Sequence, residues 1–179
     1  MFAWVCTFVL IVATPGGIVA ARSLRGGSEH AAQIVSPGLE HANPEMTAPA
    51  QREVLMRVEE FLRKLGDRDV AGVRALLAPK ALIAVARQRP DGSFANSYQT
   101  GEEFVMQLEK NAAQPKFEEP ISNVAVTIES DRVAHVRADF AIVREKRVVS
   151  SGVDHFTLLK EQDGWRIAAI AYTSLPAKP

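Results

Sequence analysis

The residues best suited to chemistry in this chain are Asp154 and His155, set side by side in the run Gly152-Val153-Asp154-His155-Phe156-Thr157-Leu158. A carboxyl group in an apolar setting serves as a general acid or base, and an imidazole does so near neutral pH. The run alternates as a strand does, so adjacent side chains face opposite sides of a sheet. Only one of the two enters any one cavity unless a bulge intervenes. Which one enters depends on hairpin register. With Glu145-Lys146 as a two-residue turn, Arg144 pairs with Arg147 and Val136 with His155, which puts His155 on the apolar face. One more residue in the turn puts Asp154 there instead. The competing account is structural: Asp154 paired with Arg137 or Arg87, and His155 at the surface or an interface. Tyr98 and Tyr172 each carry an apolar body and a polar tip, suited to a cavity mouth, a strand end or a dimer face. Phe104, Phe140 and Phe156 are expected in the core or the cavity wall.

Other chemistries find no support. His135 and His155 fall on neighbouring expected strands, but a third ligand at suitable spacing is missing, so no metal site is predicted. His30 and His41 lie in a linker, where solvated histidines are the common case. Gly26-Gly27 precedes no helix and cradles no phosphate. No cofactor is expected. Lys+Arg and Asp+Glu both number 21, which leaves no net charge to attract nucleic acid. The densest basic cluster, Arg144, Lys146 and Arg147, is interrupted by Glu145 and reads as a solvated hairpin tip. Cys6, the sole cysteine, rules out an intramolecular disulfide and a Cys-based zinc site.

The elements that would position these residues follow from periodicity. Residues 1–21 carry no charged side chain, and Val5 to Ala13 is nearly continuous apolar sequence. Thr14-Pro15-Gly16-Gly17 then breaks any helix, and Val19-Ala20-Ala21 offers small residues for cleavage. This reads as a signal peptide of a secreted or periplasmic protein. The alternative is an uncleaved membrane anchor, which the basic residues Arg22 and Arg25 after the run would orient with a cytoplasmic C-terminal domain. Residues 22–48 form a disordered linker rich in Gly-Gly, Pro-Gly and Asn-Pro. Order is expected over 49–175. Val54, Val58, Phe61, Leu62 and Leu65 make one helical stripe, ended by Gly66. Asp67 or Asp69 caps a short helix that Pro79 stops. Ala81–Gln88 and Ser93–Gln99 read as strands around the turn Arg89-Pro90-Asp91-Gly92. Thr100-Gly101-Glu102-Glu103 opens a third helix. From Ile121 the period changes to two, and long strands follow, turning at Asp131-Arg132, Arg144–Arg147 and Asp163-Gly164. The class is α+β, with three helices packed on a curved antiparallel sheet.

That element order, with Gly152–Leu158 and the closing Asp163-Gly164-Trp165-Arg166-Ile167, resembles the nuclear transport factor 2-like superfamily, in its SnoaL-like and lumazine-binding-like branch. The resemblance spans roughly residues 48 to 175. It implies a cone-shaped cavity between sheet and helices, with Asp154, Phe156 and Leu158 turned inward. Isomerases of this group use a carboxylate on the first strand and a tyrosine on the first helix. Here the first strand, Ala81–Arg87, has no acid, and the first helix has no tyrosine. The resemblance therefore implies an exported domain that binds a small apolar molecule without catalysis, its pocket drawn from Tyr98, Phe104, Phe140, Asp154, Phe156 and Tyr172. The alternatives are a dehydratase-like lyase or isomerase using Asp154, or less favourably His155, and a homodimeric association module joined through the outer sheet face around Val133, Ala141 and Val143.

Overall fold

The computed structural model describes residues 44–177, and the expectations for residues 1–43 lie outside the described residues. Helix α1 spans Pro44–Gly66 and so begins within the stretch 22–48 expected as linker. Pro49 sits inside it, so the helix continues there without the hydrogen bond that proline cannot donate. Its apolar stripe is buried as expected: Val54, Val58, Phe61 and Leu62 are at most 5% exposed. Helix α2 is Val70–Leu76, and Asp69 is its cap, accepting from the Gly72 amide at 2.8 Å. Helix α3, Gly101–Lys110, opens with a capping box. Thr100 Oγ1 accepts from the Glu103 amide, and the Glu103 carboxylate accepts from the Thr100 amide at 2.7 Å. Among the described residues no helix is long and apolar enough to cross a membrane.

Six strands form one sheet: β1 Leu77–Gln88, β2 Phe94–Thr100, β3 Ile121–Glu129, β4 Val133–Arg144, β5 Arg147–Glu161 and β6 Gly164–Pro176. Their spatial order is β2-β1-β6-β5-β4-β3. The sheet is mixed, which corrects the expectation of an antiparallel one, because β1 runs parallel to β6. Strand periodicity specifies faces and not direction. The long excursion from β1 through β2, α3 and three further strands is what brings β6 back alongside β1. Pro79 also acts differently from the expectation. The α2 helix already ends at Leu76, and Pro79 lies in β1, inside the register irregularity between Leu77 and Leu82, where a missing N–H breaks no regular ladder.

One face of the sheet packs on the helices. Ile83, Val136, Phe156, Leu158, Ile167 and Trp165 are each at most 2% exposed, and Phe61 of α1 meets Phe156 edge-on at 6.2 Å and stacks on Phe104 at 6.5 Å. Gly152 is required where β4, β5 and β6 crowd together. A Cβ there would lie 2.0 Å from the Thr173 carbonyl oxygen and 2.8 Å from the Phe140 ring.

The hairpin register decides what faces inward. Arg144 pairs with Arg147 across a two-residue turn, with Glu145 and Lys146 both in the left-handed region (φ 49° and 64°). Val143 then pairs with Val148, but Ile142 pairs with Ser150. Val149 is therefore an extra residue on β5, a bulge that shifts everything beyond it by one position. Beyond the bulge Ala138 pairs with Asp154, Arg137 with His155 and Val136 with Phe156. The tight turn and the inward Asp154 thus coexist, by a bulge inside the strand and not by a longer turn.

Candidate functional site

Asp154 enters from the centre of β5, flanked by β4 and β6. It is 3% exposed, the one fully buried charged or polar side chain among the described residues, and its Oδ2 has no hydrogen-bond partner. Neither arginine expected as a structural partner holds it. Arg137 is on the opposite face, in an ion pair with Asp139. Arg87 lines the same cavity but acts on the Tyr172 hydroxyl. Burial without a compensating cation raises the Asp154 pKa to about 7.

The cavity that Asp154 faces lies between the sheet and the helices and has a volume of about 610 Å³. Its apolar wall includes Phe61 and Leu65 of α1, Phe104 of α3, Ile83 of β1, and Phe140 and Phe156 of the long strands. Tyr172 of β6 sits beside Phe140, ring edge to face, with centroids 6.1 Å apart. Burial raises the Tyr172 hydroxyl above its usual pKa. Arg87 opposes that shift, while Glu119 and Asp154 add to it.

A second carboxyl group in this cavity, Glu119, was not singled out from the sequence. It lies in the segment between α3 and β3, which is pinned to the edge of the sheet. Glu118 and Val143 exchange backbone hydrogen bonds of 3.0 and 2.8 Å, and Ala141 donates to the Pro120 carbonyl at 3.2 Å. This short bridge imposes strand alternation, so Glu118 is exposed and Glu119 turns inward. Glu119 keeps some accessible surface because it faces an open cavity, yet the surrounding protein desolvates its carboxyl. Desolvation first, and the Asp154 charge second, push its pKa up to about 8. The sequence signal was two adjacent acids before a proline, which is indistinguishable from a solvated loop until the bridge is seen.

The rim of the cavity is basic. Arg68 and Arg144 lie over the Phe117 ring, with guanidinium carbons 5.0 and 5.8 Å from its centroid. Arg144 lines the cavity rim while remaining exposed, as are Glu145, Lys146 and Arg147, so the cluster is also the solvated hairpin tip expected of it. Gly66 lets Phe117 approach: the Phe117 amide donates to the Gly66 carbonyl at 3.2 Å, and a Cβ on Gly66 would stand 2.2 Å from the Phe117 oxygen. The left-handed residue closing α1 is Arg68 (φ 62°), not Gly66. Asp69 donates to the Lys64 carbonyl and Arg68 to that of Leu65, the paired bonds of a Schellman cap whose left-handed position is usually glycine.

The structure brings Phe104, Phe140, Asp154, Phe156 and Tyr172 together around one cavity. It does not bring Tyr98 or His155 there. Placing Tyr98 in the pocket is corrected. It pairs with Ala84 on the outer face and is 77% exposed, because β1 alternates Ile83 and Val85 inward with Ala84 and Ala86 outward. His155 is exposed on the same outer face, beside a shallow depression that Tyr98 and Ala171 also line. Among the described residues no group of three or more His, Cys, Asp or Glu is placed to hold a metal ion.

This arrangement, a mixed curved sheet wrapped over helices with a cavity between them, defines a nuclear transport factor 2-like protein. Comparison with solved structures agrees. The chain is similar in fold to the β subunit of a "putative aromatic-ring-hydroxylating dioxygenase" from Novosphingobium aromaticivorans, at 14% identity and TM-score 0.59, over 74% of this chain and 94% of that one. It is similar to a "putative scytalone dehydratase" from the same organism, at 14% identity and TM-score 0.57, over 73% and 87%. It is also similar to a nuclear transport factor 2-like protein of unknown function from Pseudomonas putida, at 12% identity and TM-score 0.55, over 70% and 86%. Within this class the chain belongs to the family described as "putative lumazine-binding", whose model matches residues 49–173. Comparison with the curated proteins gives no match.

Proposed function

We propose that the chain binds a small, largely apolar molecule in the cavity between the sheet and the helices, without turning it over. The observation that carries this reading is the buried, unpartnered Oδ2 of Asp154 in a cavity of about 610 Å³ walled by phenylalanine rings. An unsatisfied buried polar atom is unfavourable, and a ligand with one polar group among apolar atoms relieves it. Asp154 and Glu119, both held toward their neutral acids, supply hydrogen-bond donors to such a group. Binding without turnover is preferred because β1 carries no acid and α1 no tyrosine. Thermal-shift screening of the full chain against small aromatic and aliphatic ketones, esters and alcohols tests it. Compounds that raise Tm in a saturable way support the reading, and a panel in which none does so removes it.

A second reading is favoured by one specific observation. Two carboxyl groups with raised pKa values share the cavity, the arrangement a lyase or isomerase needs for proton transfer. On this reading Asp154 is the acid/base. Asp154→Asn then keeps ligand binding and abolishes turnover, whereas equal turnover by the variant rules the reading out.

Export and self-association complete the proposal. The apolar, uncharged residues 1–21 support a secreted or periplasmic protein, with membrane anchoring through them as the alternative. N-terminal sequencing distinguishes a start after Ala20 or Ala21 from an intact Met1 in the membrane fraction. A homodimer through the outer sheet face is supported by exposed Leu82, Phe94 and Tyr98 beside the small Ala84, Ala86 and Ala171. This centres the contact on β1 and β2 and away from Val133, Ala141 and Val143. Light scattering tests it, and a monomer at high concentration would end it.

A further inference from the structure

The cavity carries positive charge that a purely apolar ligand would leave without a counter-ion. Three arginines, Arg68, Arg87 and Arg144, line it, and the carboxyl groups among its lining residues are Asp154 and Glu119. Among the described residues none of these arginines forms an ion pair with an acid. Arg68 has a buried Nε with no hydrogen-bond partner, and its Nη2 has only a long 3.4 Å contact to the Pro115 carbonyl. Arg144 is held beside it by the shared Phe117 ring. Burial and the neighbouring Arg144 both disfavour the charged form of Arg68, yet a guanidinium stays protonated in proteins. The two carboxyl groups, pushed toward their neutral forms, offset little of this positive charge. Arg68 also occupies a left-handed position at which glycine would be the easier residue.

Two like charges gathered on one ring at a cavity rim, one of them with an unpaired buried donor, lack a counter-anion. We propose that Arg68 and Arg144 take the carboxylate of an amphipathic organic acid whose apolar body fills the cavity beneath them. This rests on the proposed binding role of the cavity and narrows its ligand from apolar molecules in general to apolar carboxylic acids. The paired N–H groups of a guanidinium match a carboxylate's two oxygens. The phenylalanine wall suits a ring or short alkyl chain.

The test uses a matched pair of probes, naphthalene-1-acetate and the neutral naphthalene-1-acetamide, titrated calorimetrically into the full chain. The acetate is expected to bind about tenfold or more tighter than the acetamide, the effect of one well-formed charge-assisted contact. Arg144→Gln and Arg68→Gly each should bring the two affinities to within about twofold of one another, with acetamide binding unchanged. Arg68→Gly is the informative variant, since glycine suits the left-handed cap and the fold is retained. Equal binding of both probes by the unmodified chain overturns the carboxylate assignment and leaves the cavity reading standing. An equal loss of both probes in the variants overturns it too, since the arginines would then only shape the rim. Binding of neither probe overturns the cavity reading and this inference with it.

Discussion

Replacing Asp154 by asparagine should make the protein's stability less sensitive to pH, in a window and direction that the structure specifies. Asp154 is raised from 3.8 to about 7 by burial. The folded state therefore holds its proton more tightly than the unfolded chain does. Below pH 4 both states are protonated and the group has no differential effect. As pH rises through 4 to 7 the unfolded chain ionises first, and folding stability falls. A shift of that size corresponds to at most about 4 kcal/mol, and water entering the open cavity reduces it to roughly 2 to 3 kcal/mol. Glu119 adds a loss of the same sign that extends to about pH 8. The surface carboxylates Asp69, Asp91, Glu103, Asp139 and Asp163 are shifted the other way, downward, by hydrogen bonds. Their effects lie at acidic pH, so the interval from pH 5 to 8.5 isolates the cavity pair. Urea denaturation of the full chain at pH 5 and pH 8.5 is the assay. The unmodified protein should be weaker at pH 8.5. The advantage of Asp154→Asn over it should be larger at pH 8.5 than at pH 5 by about 2 kcal/mol, since an amide carries no ionisation penalty. The double variant with Glu119→Gln should be nearly flat. A slope in Asp154→Asn equal to that of the unmodified protein would refute the burial argument, and so would stability that rises with pH across the interval.

Other perturbations have equally definite outcomes. Gly152→Ala should cost about 2 kcal/mol or more in denaturant titrations, because its Cβ meets the Thr173 carbonyl and the Phe140 ring. A near-neutral result would mean that the strands part easily there. Thr100→Ala should lower stability by about 1 kcal/mol through loss of the capping box on α3, read by the same titration. Deleting Val149, the extra residue of the bulge, lets Ile142–Ser150 follow Val143–Val148 directly and keeps Asp154 opposite Ala138. Urea titration of the deletion variant should show cooperative unfolding with the pH dependence of Asp154 retained, and loss of that dependence would contradict the placement of the bulge at Val149.

Much of the architecture could be read in advance because local patterns carried it. The α1 stripe from Val54 to Leu65, the Thr100–Glu103 box and the alternation of Ala134, Val136, Ala138 and Phe140 each state a face directly. The parallel pairing of β1 with β6 has no local signature, since a strand's side chains alternate identically whichever way its neighbour runs. The site divided along the same line. Phe140 and Tyr172 could be anticipated from strand alternation, whereas the choice of Asp154 and Phe156 over His155 came from the family resemblance, since the Val149 bulge that sets it has no local signature. Glu119 could not, because its inward turn depends on a two-residue bridge to Val143. Arg68 and Arg144 were equally hidden, since each looks like an ordinary solvated cation until Phe117 is placed between them. Tyr98 was misplaced because an aromatic residue signals burial or an interface without saying which face of a hairpin it occupies.

The space beneath the sheet is proposed to receive a ligand. Fluorescence titration of the full chain with N-phenyl-1-naphthylamine, a neutral apolar probe that brightens on leaving water, tests it most directly when run beside Leu65→Trp, a variant that fills the cavity wall. The unmodified protein should bind saturably and one-to-one, and the filled variant should lose binding at unchanged Tm. An absence of saturable binding, or equal affinity in the two proteins, would contradict the proposed binding.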